Sequence, residues 1–244
     1  MKLFANGCSF TWGGEIVKQM HDPQGNILDE HNTSERNLNR LQITWPGHLA
    51  RELGCEEFHN YAMGCGSNAR IVRKTLEFFL PKIINADRDL TDYVAVIQWT
   101  EPMRYEYFDD MSQSWALCKP DVLLIEQGRH PVQQEKEMAQ SRFMFENDET
   151  WCKQTVEHIS MLGNFFKQHG IRHLFTAMSP TTISGFGQTE IQYCNSQFNW
   201  YRKSIEQCSI ASMQIDHCEN SSHPSLLGHE QIARKLAKQI KKGL

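Results

Sequence analysis

The sequence predicts an α/β fold, a mostly parallel sheet with helices on both faces. Three observations carry that expectation. Four short apolar runs, Lys2–Asn6, Phe58–Ala62, Tyr93–Trp99 and Ile171–Ala177, have the length of buried strands. Helical patterns separate them, and the order strand, glycine loop, helix recurs. The run Tyr93–Trp99 is β-branched and almost continuous, as a central parallel strand should be. With 244 residues, 40% of them apolar and 22% charged, the chain can bury a large core and fits one domain spanning residues 1–244.

The elements follow in order. Lys2-Leu3-Phe4-Ala5-Asn6 ends at Gly7 and delivers Cys8 and Ser9 to a strand end. Residues 15–40 are polar, carry the turn signal Asp22-Pro23-Gln24-Gly25-Asn26, and read as a long excursion. Leu49 to Leu53 reads as a short helix closed by Gly54. After the second strand, Gly64-Cys65-Gly66-Ser67-Asn68 is a loop able to cap a helix from about Ala69 to Leu80. Residues 104–149 show no strong period and exceed what a simple βα connection needs, so they read as an insertion, a candidate lid or partner surface. A helical pattern from about Thr150 to Gln168 precedes the fourth strand. Between Gly228 and Lys242, Ile232, Leu236 and Ile240 recur at four-residue spacing with lysines outside, the pattern of a terminal amphipathic helix. Ligands of parallel sheets sit at the carboxyl ends of the strands. Ser9, the 64–68 loop and the segment from Thr100 to Arg104 all follow strands, so one sheet edge gathers three loops.

Composition narrows the partners. A formal charge of −4 argues against the basic surface that a nucleic-acid backbone requires. The N-terminal Met1-Lys2-Leu3-Phe4-Ala5-Asn6-Gly7 lacks the apolar stretch of a secretory signal, and no run reaches the ~20 apolar residues of a membrane span. A soluble, cytoplasmic chain without membrane or nucleic-acid partners is therefore expected. The eight cysteines form no CxxC pair, so reduced thiols are expected. His217-Cys218 lies near His223 and His229, but zinc ligands usually have tighter paired spacing, and no metal is expected.

Two short segments carry candidate chemistry. A serine nucleophile needs a base within hydrogen-bond reach of its Oγ and donors aimed at the oxyanion. Asn6-Gly7-Cys8-Ser9-Phe10 places a serine on a sharp turn after the first strand, where it serves as a nucleophile or as a helix cap. In Ser221-Ser222-His223-Pro224-Ser225-Leu226-Leu227-Gly228-His229, the proline holds His223 outside a helix, and Ser225 can cap the final helix. His223 is then a base reaching a strand end or an exposed loop histidine.

Together, Gly7-Cys8-Ser9 and His223-Pro224-Ser225-Leu226-Leu227-Gly228-His229, about 210 residues apart, resemble the first and fifth blocks of the SGNH/GDSL-like hydrolases. The resemblance implies a three-layer α/β/α, flavodoxin-like fold around a five-stranded, mostly parallel sheet. It further implies Ser9 as nucleophile, His223 as base, and a small-molecule or glycan ester as substrate, with no cofactor. Asn60-Tyr61-Ala62-Met63-Gly64-Cys65-Gly66-Ser67-Asn68 resembles the second block, whose backbone N–H joins that of Ser9 in the oxyanion hole. The expected donor is Gly66 or Cys65, with Asn68 as loop support or substrate contact.

The chain departs from the family twice. The third block normally supplies an asparagine amide, and here it reads Gln98-Trp99-Thr100-Glu101-Pro102-Met103-Arg104. Thr100 is a substitute donor, while Arg104 either replaces the lost function, binds an acidic substrate group or forms a surface ion pair. In the fifth block Asn220 stands where an aspartate usually orients the histidine, leaving Asp216 and Glu219 as candidate acids or a Ser-His dyad. Trp12, Trp45 and Trp99, near loop ends, form a stacking platform for substrate or pack in the core and rim. The expected activity is removal of an acyl group such as acetyl from a larger molecule such as a carbohydrate. A catalytically impaired binding module and an acyltransferase are the alternatives.

Overall fold

The short apolar runs become strands in the computed structural model, which describes residues 1–14, 16, 41–85, 89–109, 113–118, 137, 140–141, 146–219 and 221–243. In chain order the elements are β1 (Lys2–Asn6), α1 (Ser9–Trp12), α2 (Trp45–Leu53), β2 (Glu57–Asn60), α3 (Asn68–Ile84), β3 (Tyr93–Trp99), β4 (Tyr105–Asp109), β5 (Ser114–Cys118), α4 (Asp148–Gln168), β6 (Arg172–Ala177), α5 (Gln188–Gln197) and α6 (Leu226–Lys241).

Local signals set the helix ends. Pro46 lies in the first turn of α2, and Gly54 closes that helix at φ 65°, a left-handed conformation that glycine adopts without strain. Ser67, Asn147 and Ser225 cap α3, α4 and α6, each side chain accepting an N–H from the first turn. The 3.6-residue pattern thus begins where a side-chain oxygen can satisfy an orphan donor.

The main sheet is parallel throughout, in the order β2-β1-β3-β6. All seven residues of β3 are buried, which accounts for its unbroken apolar reading. Side-chain alternation on β1 defines the layers. Phe4 meets Phe78 and Phe79 of α3 at ring-centroid distances of 4.8 and 5.0 Å, and Asn6 bonds to α3 as well. Leu3 and Ala5 therefore point to the opposite face, the one covered by α2, which packs on α6. α3 packs against α4.

The expected five-stranded sheet needs correction. Among the described residues four strands pair, and the fifth position beside β6 holds only isolated parallel bridges, Phe175 to Trp200 and Ala177 to Ser209. Between those bridges the chain winds through 3₁₀ turns at Tyr201–Lys203 and Ile205–Gln207, with Arg202 and Lys203 at φ 59° and 63°. That curl breaks a continuous ladder. Within the 104–149 insertion the described residues include an antiparallel β4–β5 hairpin fastened to α3, where Arg73 grips Glu106 at 2.9 and 2.6 Å and covers Trp115. The excursion at residues 17–40 lies outside the described residues. Among the described residues no helix is long and apolar enough to cross a membrane.

Candidate active site

The site begins with a buried polar residue at the end of β1. Asn6 donates to Ile71 O and Thr75 Oγ1 on α3 and accepts Gly7 N–H, which fixes where the chain leaves the sheet. Gly7 cannot carry a side chain, because a Cβ would lie 2.5 Å from Thr11 Oγ1 and 2.9 Å from Gln98 Oε1. The close approach lets Thr11 Oγ1 and Cys8 Sγ both donate to Gln98 Oε1 on β3, at 2.6 and 3.5 Å. Ser9 then starts α1, whose first acceptor, Cys8 O, takes Thr11 N–H and Trp12 N–H. The N–H of Ser9 has no protein acceptor among the described residues, as expected at a helix start.

His223 arrives from the other end of the chain. Its O accepts Cys218 N–H, its N–H donates to Ser221 Oγ, and Ser225 N–H and Oγ–H both bond to Asp216, so the 216–225 loop is pinned on both sides. The imidazole rests on the ring of Phe10 with centroids 4.8 Å apart. His223 Nε2 lies 2.8 Å from Ser9 Oγ, and Nδ1 lies 3.0 Å from Ser221 Oγ.

The carboxylates suggested by sequence go elsewhere. Asp216 accepts the Ser225 hydroxyl beside the cap of α6, and Glu219 is exposed; neither bonds to His223. Both are corrections, and the reason is the tight 217–224 loop, which turns Asp216 toward α6. Asn220 lies outside the described residues. The histidines and cysteine near His223 each take their own contact: His217 Nδ1 faces Ser222 O, Cys218 Sγ donates to Pro224 O, and His229 Nδ1 accepts Trp45 N–H. His229 is fully buried, and burial, followed by His48 and His223 nearby, pushes its pKa down to about 3.

The 64–68 loop lies against the serine turn, with a Cβ on Gly66 reaching within 3.1 Å of Gly7 O. Gly66 N–H is spent on Met63 O at 3.0 Å, which removes it as the oxyanion donor. Cys65 occupies the left-handed region at φ 62°, and its N–H has no protein acceptor among the described residues. Asn68, 2% exposed, is a clamp rather than a substrate contact. Its amide accepts Thr100 N–H and donates to Thr100 O and Thr155 Oγ1.

Two further assignments fail on burial. Thr100 is fully buried and turns its hydroxyl to Met178 Sδ, so it cannot meet an oxyanion. Trp99 is 1% exposed and packs edge-on against Phe175, and Trp45 is likewise in the core. Trp12 alone of the three is partly exposed, resting near Gly64 and Gly14. Arg104 forms an ion pair with Glu101, but below the surface, at 14% exposure. Burial opposes its charge, while Cys8, Glu101 and Cys65 around it outweigh burial and raise its pKa.

Sequence reasoning missed Asn6, Phe10, Gln98 and Ser221. Gln98 was the readable one: a lone amide inside an otherwise apolar buried strand needs a reason. Its Nε2 is buried without a partner among the described residues.

Two solved structures share this architecture. A protein assigned to the G-D-S-L lipolytic family from Desulfitobacterium hafniense DCB-2 aligns with a TM-score of 0.50 at 12% identity, covering 97% of this chain and 98% of that one. The crystal structure of TesA aligns with a TM-score of 0.50 at 11% identity over 100% of both chains. These likenesses establish the SGNH/GDSL-like fold. No curated protein matches the sequence. The model of DUF6071, described as a family of unknown function, matches residues 26–243, and the chain belongs to that family.

Proposed function

We propose that the chain is a serine-dependent ester hydrolase of the SGNH type, removing an acyl group such as acetyl from a larger substrate such as a carbohydrate. One observation carries the reading: His223 Nε2 stands 2.8 Å from Ser9 Oγ although 214 residues separate them. That distance is within the reach a general base requires.

In the proposed reaction, Ser9 Oγ attacks the ester carbonyl carbon as Nε2 takes the hydroxyl proton. The oxyanion falls between the N–H of Ser9 at the start of α1 and the N–H of Cys65 in the adjoining loop. The tetrahedral intermediate collapses by expelling the alcohol, which receives the proton from His223. Water, deprotonated by the same imidazole, then releases the acid and restores Ser9. Ser221 Oγ accepts from Nδ1–H and holds the tautomer whose Nε2 lone pair faces Ser9. The Ser221 hydroxyl orients the ring and acts as a positioning residue.

The test is turnover of p-nitrophenyl acetate. Ser9→Ala is expected to abolish activity above background, and His223→Ala to lower kcat/KM about 10²–10⁴-fold. Wild-type rates in both variants would refute the assignment. An added alcohol that captures the acyl group in place of water would shift the reading to an acyltransferase on the same residues.

A further inference from the structure

Next to the 64–68 loop, which itself lies against the serine turn, is a small cleft of about 30 Å³ that the reaction above does not use. Its walls include Asn68, Pro102, Arg104, Gln154, Thr155 and His158, drawn from the start of α3, the turn after β3 and the inner face of α4. The Asn68 clamp joins these three elements and ties the cleft to the 64–68 loop that borders Ser9.

Arg104 is the charged group of this wall whose hydrogen-bonding is only half used. Nε donates to Oε2 of Glu101 at 3.1 Å, and Nη2 lies 3.0 Å from the same oxygen. Glu101 thus occupies the side-on edge of the guanidinium. The end-on edge, Nη1 with the second hydrogen of Nη2, has no protein acceptor among the described residues. That edge is a planar fork, which matches two oxygens of a carboxylate or phosphate. The neighbouring acid Glu106 does not compete, because Arg73 holds both of its oxygens. In the same wall, His158 Nδ1 is buried and has no partner among the described residues, a polar atom that a ligand would satisfy. Arg104 follows β3, the 64–68 loop follows β2 and Ser9 follows β1, so all three lie at the carboxyl edge of the parallel sheet.

We propose that this cleft is a substrate subsite in which Arg104, braced by Glu101, binds an anionic group, carboxylate or phosphate, carried by the ester. The proposal rests on the ester-hydrolase reading and narrows its substrate class to acidic esters. It also gives Glu101 a role: the acid holds Arg104 in place.

Matched esters test it. At constant ionic strength, kcat/KM for 4-acetoxybenzoate should exceed that for neutral 4-acetoxybenzamide about ten- to a hundredfold, chiefly through KM. Arg104→Gln should erase that ratio, and Arg104→Lys, which keeps charge but loses the fork, should restore only part of it. Circular dichroism of each variant checks folding. Equal rates for the two esters in the wild type, or a preference that survives in folded Arg104→Gln, would overturn the subsite. Competition by sodium benzoate against inorganic phosphate identifies which oxyanion fits better. If no ester is turned over, the hydrolase reading fails by itself, and the cleft is then judged by titrating phosphate and benzoate into wild type and Arg104→Gln. Binding lost in the variant supports the subsite, and no binding to the wild type sinks it.

Discussion

Gly7 shows how much one residue without a side chain accomplishes here. Its contacts let β1, Gln98 and Thr11 approach closely enough to set the turn on which Ser9 stands. In Gly7→Ala the added methyl meets Thr11 Oγ1 and Gln98, and relief requires moving α1 or β3. We expect a loss of ~1–3 kcal/mol by urea unfolding, the cost of overpacking a filled site, and a lower kcat as Ser9 shifts from His223. A fully stable, fully active variant would mean that the turn is softer than its contacts imply. At this scale the sequence displayed Ser9 and His223 but not what stands behind them. Asp216 was a reasonable acid on spacing, yet it serves Ser225, while Ser221, two residues from His223, faces Nδ1. Spacing reports which groups are near in the chain, and a six-to-eight-residue loop can turn any of them inward.

At the scale of elements, three hydrogen bonds from Asn68 join the head of α3 to the end of β3 and to α4. Asn68→Ala strands the buried N–H and C=O of Thr100. Leaving such groups unpaired costs about 1–3 kcal/mol, so we expect a destabilisation of that size by urea unfolding, with weakened turnover as the 64–68 loop loosens. Unchanged stability would show that Thr100 finds other partners. The helix ends were legible because Ser67, Ser225 and Gly54 act on their own neighbours. The β4–β5 hairpin was not, since its anchor is the pair Arg73–Glu106, 33 residues apart and invisible to periodicity. The fifth strand failed for a similar reason: its place beside β6 goes to a segment curled by two left-handed residues.

For the molecule as a whole, burial of neutral histidines sets a pH limit. Burial pushes His173 down to about 4, and burial with His48 and His223 pushes His229 down to about 3. Both folded values lie below the unfolded value of 6.5. The unfolded chain therefore binds more protons as pH falls below about 6.5, and stability declines through the window down to pH 3–4. Each histidine contributes a slope approaching ~1.4 kcal/mol per pH unit. Urea unfolding at pH 7.5, 6 and 5 should show this fall, and His229→Gln should make it shallower; a flat profile would contradict the burial. The sequence by itself determined the α/β architecture, the parallel strands, the helix caps and the two segments bearing Ser9 and His223, because those are local patterns of burial and capping. Only the tertiary structure decided that Nε2 meets Oγ, that Thr100 and Trp99 are core, that Gly66 N–H is already used and that Arg104 keeps an open edge. Those outcomes depend on which groups from distant parts of the chain compete for the same hydrogen bonds and the same space.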